Sequence, residues 1–302
     1  MRDTDKVLKQ LEKFMKDKMI DSDEEYEVAV QEFMKLHNLG TPIIEETFET
    51  RSDYLYDQAL EAESEKEALR LVHESLKENP NNCDAKIFLA EISANNSDIL
   101  EEEMIKIIKE EQVRLVNEDI YKEENLGQFY DIIQTRSYIR AKVSLIEMYL
   151  SKGRYQLARH EMEEVLMLNE HDNMGVRYRL LSLYCFLEEK EKIDEILKKY
   201  PESSLLTWLP MSVYYYKTKN YFLLDETLNK MVEYNRNILK VMNGAVEADS
   251  FDILEKSFGA YQPGDMNEAM MVVEGNLYLI ASTTGYIMYL NNWKPIIKNK
   301  VS

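Results

Sequence analysis

Residues 135–178 constrain the fold more than any other part of the chain. Their apolar residues recur at helical spacing, which predicts two helices joined by a tight turn and the start of a third. Gly153 marks the turn, because the residue after a helix C-terminus often needs a left-handed backbone. Ala158 lies where the second helix approaches the first, so a small side chain is favoured there. The segment therefore predicts a chain built from helical hairpins.

The spacing of small and aromatic residues in this segment is typical of a tetratricopeptide repeat (TPR), a unit of about 34 residues. The residues at its signature positions are Tyr149, Gly153, Tyr155, Ala158 and Met162. Residues 67–82 indicate the second helix of another unit, with Ala68 at the small position and Pro80 at its end. Ala68 and Ala158 are separated by 158 − 68 = 90 positions, which is not a multiple of the repeat. An irregular connector is therefore expected between them.

The composition favours an all-helical chain and excludes some classes of function. Only 9 Gly and 6 Pro occur among 302 residues, and 45% of the residues are hydrophobic. The net charge of −19 disfavours binding to nucleic acid or to an anionic membrane surface. The 2 cysteines provide neither a disulfide framework nor a paired metal motif. With no apolar signal segment near Met1, these features predict a cytoplasmic protein.

The predicted fold class is all-α, a TPR-like helix-turn-helix solenoid forming a right-handed superhelix with irregular capping helices at both ends. The predicted segments are an N-terminal helical pair as a cap (1–50), TPR-like repeats (51–118), an irregular connector (119–135), TPR-like repeats (136–242), and a C-terminal helical cap and tail (243–302). Each segment follows from where helical periodicity and turn signals begin and end.

The two capping regions give more specific expectations. Residues 4–18 place five apolar residues on one helical face: Val7, Leu8, Leu11, Phe14 and Met15. A helix over residues 24–37 is expected to bury four side chains: Tyr26, Val30, Phe33 and Met34. In the C-terminal region, helices are predicted over residues 244–257, from Asp265 to Ala281, and over 283–290.

Three motifs resemble those of a known family. They are TRSYIRA at 135–141, LNEHDNMGVRY at 168–178 and QPGDMNEA at 262–269. Together they resemble bacterial TPR proteins related to the suppression-of-tumorigenicity TPR family, which carry TRPYMRA, LNPNDNQGIRY and SPGDEDEA. Ser137 and Glu170 replace family prolines, Ile280 stands where tryptophan is frequent, and Thr284 replaces proline. The resemblance extends from about Tyr54 onward, and it implies a helical repeat scaffold without enzymatic activity.

No motif in the sequence predicts catalysis or a cofactor. Phosphate-binding loops and nucleophile elbows are missing from it. His73 and His160 each begin an HExxH-like pattern, but Lys77 and Glu164 occupy the second histidine position. Carboxylate runs at 101–103 and at Glu161, Glu163 and Glu164 are expected to be solvated helix faces, because a general acid–base pair must converge across a cleft. We therefore predict no catalytic residue, no metal ligand and no cofactor.

The expected functional surface is the concave groove of the repeats, lined by the first helix of each unit. Its predicted lining is Arg136, Arg140, Val143, Glu147, Arg177, Tyr178, Phe186, Leu209 and Tyr216. Two interpretations of the three arginines stay open. They could grip a carboxylate or phosphate of the ligand, or they could pair with acids such as Glu147 and Asp172 to fix repeat geometry.

The leading hypothesis is a non-catalytic scaffold that binds a protein or peptide segment in this groove. The alternative is a peptide-responsive regulator that contacts another macromolecule through its N-terminal helices. A recognisable basic recognition helix is missing from that region of the sequence, which counts against DNA as this macromolecule. Neither nucleic acid nor a membrane is expected as a partner.

Overall fold

A computed structural model describes Val7, Leu8, Gln10, Leu11, Phe14, Met15, Lys18 and residues 22–38, 48–246 and 262–295. Among these residues the regular elements are helices, and the only strand-like pairing is an isolated bridge between Gln128 and Asn169. The predicted all-α class is confirmed. The chain divides into two compact units, Met1–Asn173 and Met174–Ser302.

The described part of the first unit is built from α-helices that pair as hairpins, as the sequence predicts for residues 135–178. They are α1 (Asp23–Asn38), α2 (Phe48–Leu60), α3 (Glu65–Glu78), α4 (Cys83–Ser93), α5 (Ser97–Asn117), α6 (Arg136–Ser151) and α7 (Tyr155–Leu168). Side-chain caps explain three of the starts, since Ser64, Asn82 and Asn96 accept backbone N–H bonds in the first turns of α3, α4 and α5. Helix α2 packs on α3, α6 on α7, and α4 on α6.

The α6–α7 hairpin has the local features that its sequence predicts. Gly153 adopts a left-handed backbone at φ 67° between the helices. Ala158 is fully buried, and so are Met162 and Val165 on the same helix. The small side chain lets α7 lie close against α6 at this point.

The connector between α5 and α6 is attached to the end of α7. The Phe129 N–H donates to the Leu168 carbonyl at 2.9 Å, and the Glu170 N–H donates to the Gly127 carbonyl at 2.8 Å. Phe129 is fully buried and meets Tyr121 edge-on, with 5.1 Å between ring centroids. The irregular segment predicted here is therefore an ordered part of the core of the first unit.

The second unit contains paired helices followed by shorter C-terminal ones. They are α8 (Val176–Leu187), α9 (Lys190–Lys199), α10 (Leu205–Lys217), α11 (Tyr221–Tyr234), α12 (Ile238–Val246), α13 (Met266–Gly275), α14 (Leu277–Ser282) and α15 (Tyr286–Asn292). Helix α8 packs on α9 and α10, and α10 packs on α11. Helices α13 and α14 also pack against α10, and α14 reaches α8.

In the N-terminal region the structure differs from the prediction on one face of α1. The five apolar residues predicted on residues 4–18 are helical and half-buried, and Phe14 meets Phe33 at 5.7 Å between ring centroids. On α1, Ala29 and Phe33 are buried, but Tyr26 and Met34 are exposed. The prediction that these two residues face inward is wrong, because the buried stripe is narrower than the apolar pattern.

Two predicted C-terminal helices also differ from the structure. The single helix expected from Asp265 to Ala281 is two, because α13 ends at Gly275 and Asn276 precedes α14. Glycine weakens a helix interior through its backbone entropy, which explains the break. The helix expected from Gly244 begins earlier, at Ile238. Residues 247–257 of that prediction lie outside the described residues.

Asp265 caps α13, and its charge gives a pH-dependent prediction. Its carboxylate accepts from the Glu268 N–H at 2.7 Å and the Gln262 N–H at 2.8 Å. These backbone bonds lower the pKa of Asp265 below its ordinary value. A lowered folded-state pKa adds stability above the unfolded-state pKa, and this stability is lost as the pH falls through the folded-state pKa.

We therefore expect wild type to melt at a higher temperature than Asp265→Asn at neutral pH. The gap should stay nearly constant down to about pH 5 and narrow as the pH falls further, because protonation then removes the charge that asparagine lacks at every pH, while asparagine keeps the cap. Thermal unfolding followed by circular dichroism measures it. A gap that does not change with pH would contradict this role for the carboxylate.

Candidate ligand-binding surface

Arg140 of α6 is held by an acid on the neighbouring first helix, α4. Its Nε lies 3.0 Å from Asp84 Oδ1, and its Nη2 lies 2.6 Å from Asp84 Oδ2. Each of the two side chains is 18% exposed. A two-pronged arginine–carboxylate pair fixes orientation as well as charge. The arginine therefore joins α4 to α6. Its partner in this contact is Asp84, an acid that was not among those suggested from the sequence, Glu147 and Asp172.

The other predicted residues of α6 differ in accessibility. Arg136 donates from Nε to the Tyr130 carbonyl at 2.7 Å, and its guanidinium lies 5.0 Å from the centre of the Tyr130 ring. Val143 is half-buried and Glu147 is exposed. In the first unit, a ligand could therefore reach Val143 and Glu147 without breaking the contacts that hold Arg136 and Arg140.

In the second unit, Arg177 and Tyr178 of α8 form a cluster with Glu202. The Arg177 guanidinium lies 4.1 Å from the Tyr178 ring centre and 5.6 Å from that of Tyr200. Its Nη2 is 3.0 Å from Glu202 Oε2, to which the Tyr178 hydroxyl also donates. The pKa of Tyr178 is raised to about 12, mainly by burial of the side chain and secondly by this hydrogen bond. The cluster combines cation–π contact with an ion pair.

Three predicted groove residues of the second unit pack against other parts of that unit. Leu209 is fully buried. Phe186 meets Tyr278 of α14 edge-on at 5.7 Å between ring centroids. The ring centroid of Tyr216 lies 5.3 Å from that of Tyr286 and 5.6 Å from that of Tyr289, both on α15. Sequence analysis placed the three side chains in an open groove, but Leu209 is in the core, and Phe186 and Tyr216 contact the C-terminal helices.

Gly285, at the start of α15, leads to a stability prediction about the Tyr216 contact. Its φ is 89°, and an added Cβ would lie 2.8 Å from the Tyr216 hydroxyl oxygen. We expect Gly285→Ala to cost about 2 kcal/mol, from backbone strain together with this clash. Urea denaturation measures this loss of unfolding free energy. In the double variant Gly285→Ala with Tyr216→Phe the hydroxyl is gone, so only the part of the loss that comes from the clash should be recovered.

The matched control is Gly153→Ala in the first unit. Gly153 has a similar φ of 67°, but no atom of the described residues lies within 4 Å of its Cβ position. Only backbone strain should appear there, about 1 kcal/mol. Equal losses at the two glycines would show that the Tyr216 contact does not constrain α15.

Two buried charge clusters in the first unit were missed by sequence analysis. Lys142 of α6 is 3% exposed, and its Nζ contacts Glu161 and lies 3.0 Å from Glu164 of α7. Glu101 of α5 is also buried and pairs with Lys152 at 2.8 Å and with Arg154.

The carboxylate runs are therefore only partly solvated, which corrects the prediction. Glu102 and Glu103 are exposed as expected, but Glu101 points inward. Successive helical residues are rotated by about 100°, so three in a row cannot share one face. The Lys142 cluster connects α6 to α7, and the Glu101 cluster connects α5 to the turn between α6 and α7.

In the part of the chain that the structure describes, no group of histidine, cysteine and acidic side chains is arranged to hold a metal ion. Cys83 and Cys185 are free and buried, and burial raises the pKa of each thiol well above its ordinary value. Thiols in such surroundings are poor nucleophiles.

No described helix is both long enough and apolar enough to cross a membrane. Comparison of the chain with models of protein families and with curated proteins gives no match. The family resemblance therefore stays a prediction that rests on its three motifs.

Proposed function

We propose that the protein is a non-catalytic scaffold of TPR type that binds an extended segment of another protein. The observation that carries this proposal is the packing of successive first helices. In the first unit α4 packs on α6, and in the second α8 packs on α10. Repeats that stack in this way present their first helices along one inner surface, which is where solenoid proteins bind their ligands.

The resemblance to the suppression-of-tumorigenicity TPR family supports the same proposal. Three residues of the motifs are buried or have a left-handed backbone conformation, so the fold restricts which residue types fit there. Tyr138 is almost completely buried, Asp172 is buried with a φ of 49°, and Gly264 has a φ of 83°. Free cysteines at 83 and 185 fit a reducing, cytoplasmic location, which forms part of the proposal.

The experiment begins with selection of ligands by the purified full chain from a displayed library of random short peptides. The affinity of the enriched peptide is then compared among three proteins: wild type, Arg140→Glu, and the charge exchange Asp84→Arg with Arg140→Asp. The exchange keeps opposite charges on α4 and α6 but reverses which helix carries each.

If the first-helix surface binds the ligand, the exchange variant should melt near wild type yet bind the peptide at least about tenfold more weakly, a loss of about 1.4 kcal/mol. If Arg140 has only a structural role, the exchange should restore both melting temperature and affinity. The proposal fails if no peptide is reproducibly enriched, or if all three proteins bind the enriched peptide equally.

A further inference from the structure

Three aromatic side chains gather around the carboxylate of Asp225 on α11. The Tyr289 hydroxyl and the Trp293 indole N–H both donate to Asp225 Oδ1, each at 2.9 Å. The Tyr221 ring stacks on Tyr289 with centroids 5.9 Å apart and planes 22° apart. Tyr221 is 47% exposed, and the other three side chains are half-buried. Solvent, and therefore a ligand, can reach this group, which we call the Asp225 cluster.

The negative charge of this cluster has no counter-ion within the described residues. None of their lysines or arginines forms an ion pair with Asp225, and both donated bonds fall on Oδ1. The Glu202 cluster on the same unit is chemically similar but complete, because Arg177 lies over two tyrosine rings and pairs with the carboxylate. Aromatic rings beside a carboxylate favour a cation through the ring quadrupole and through charge.

Two strongly exposed apolar side chains are sequence neighbours of the two tyrosines of the cluster. Phe222 follows Tyr221 on α11 and is 75% exposed, and Met288 precedes Tyr289 on α15 and is 71% exposed. Burying large apolar side chains of this kind stabilises protein–protein contacts, and aromatic and methionine residues are enriched in such interfaces.

We propose that the Asp225 cluster binds a lysine or arginine side chain of a basic partner segment, whose apolar neighbours contact Phe222 and Met288. A basic partner is favoured over a second copy of this chain, because each copy carries a net charge of −19. The site lies on α11 and α15, not on the first helices, so it goes beyond the proposed function. Either proposal can fail while the other holds.

The indole of Trp293 provides a direct reporter. The chain has 2 tryptophans, so Trp208→Phe leaves Trp293 as the single indole. The probes are short synthetic peptides identical except at one central position, which is lysine, arginine, leucine or glutamate between flanking leucines. Binding is followed by Trp293 fluorescence and by the indole N–H resonance. The lysine or arginine peptide should bind at least about tenfold more tightly than the leucine and glutamate peptides.

Asp225→Asn removes the charge but keeps an oxygen that can accept from Tyr289 and Trp293. We expect it to reduce the affinity for the basic peptide at least about tenfold, while the melting temperature stays near that of the parent protein. Glu226→Gln is the matched control, since it makes the same charge change at the exposed neighbouring position. The inference is overturned if the four peptides bind alike, or if Asp225→Asn and Glu226→Gln have equal effects.

Discussion

Replacing Phe129 with alanine is expected to lower the free energy of unfolding by about 4 kcal/mol, the middle of the range for a buried phenylalanine. Its side chain is fully buried in a segment that has little regular structure of its own. The ring meets Tyr121, and the backbone N–H is bonded to the end of α7 at Leu168. Loss of the ring would leave a cavity where the connector is held to the end of α7.

Urea denaturation of the full chain, followed by circular dichroism, measures this effect. Phe129→Leu should lose much less than the alanine variant, because most of the buried volume is kept. Gln128→Ala is the neighbouring control. Gln128 is exposed, so its replacement should change the free energy by less than about 0.5 kcal/mol. If Phe129→Ala and Gln128→Ala are equally stable, the connector is not part of the core.

Replacing Lys142 with methionine is expected to cost about 3 kcal/mol. The ammonium is buried between the carboxylates of Glu161 and Glu164, which are 17% and 24% exposed. Methionine fills a similar volume, but the two acids then face each other without a counter-ion. Removing one partner of a buried ion pair is costly because the remaining charge stays poorly solvated.

The test of this explanation is a rescue by neutralisation. In the triple variant Lys142→Met, Glu161→Gln and Glu164→Gln, no uncompensated charge is left at the α6–α7 contact. We expect it to recover at least half of the lost stability in the same denaturation assay. A triple variant as unstable as Lys142→Met alone would mean that the loss does not come from the two unpaired carboxylates.

The helical hairpins could be predicted from sequence because their signals are local. Residues 67–82 were predicted to contain the second helix of a unit with Ala68 at its small position, and α3 covers most of them with Ala68 buried. The turn at Gly153 was found for the same reason. Each of these features depends on residues within a few positions of one another.

The candidate sites could not be predicted to the same degree, because their partners are distant in sequence. Arg140 pairs with Asp84, which lies 56 positions away, whereas sequence reasoning considered Glu147 nearby. Two of the three rings around Asp225, those of Tyr289 and Trp293, lie 64 and 68 positions further along the chain. No local pattern marks such residues, although single lysines and acids within otherwise apolar helix faces could have suggested buried pairs.

We have proposed that the first helices of the hairpins form a surface that binds a protein segment. A crystal structure of the protein with a library-selected peptide would show where the peptide binds. We expect the peptide to lie along α4 and α6 and to contact Arg140, Val143 and Glu147. A peptide bound on another face, with these three side chains untouched, would contradict it.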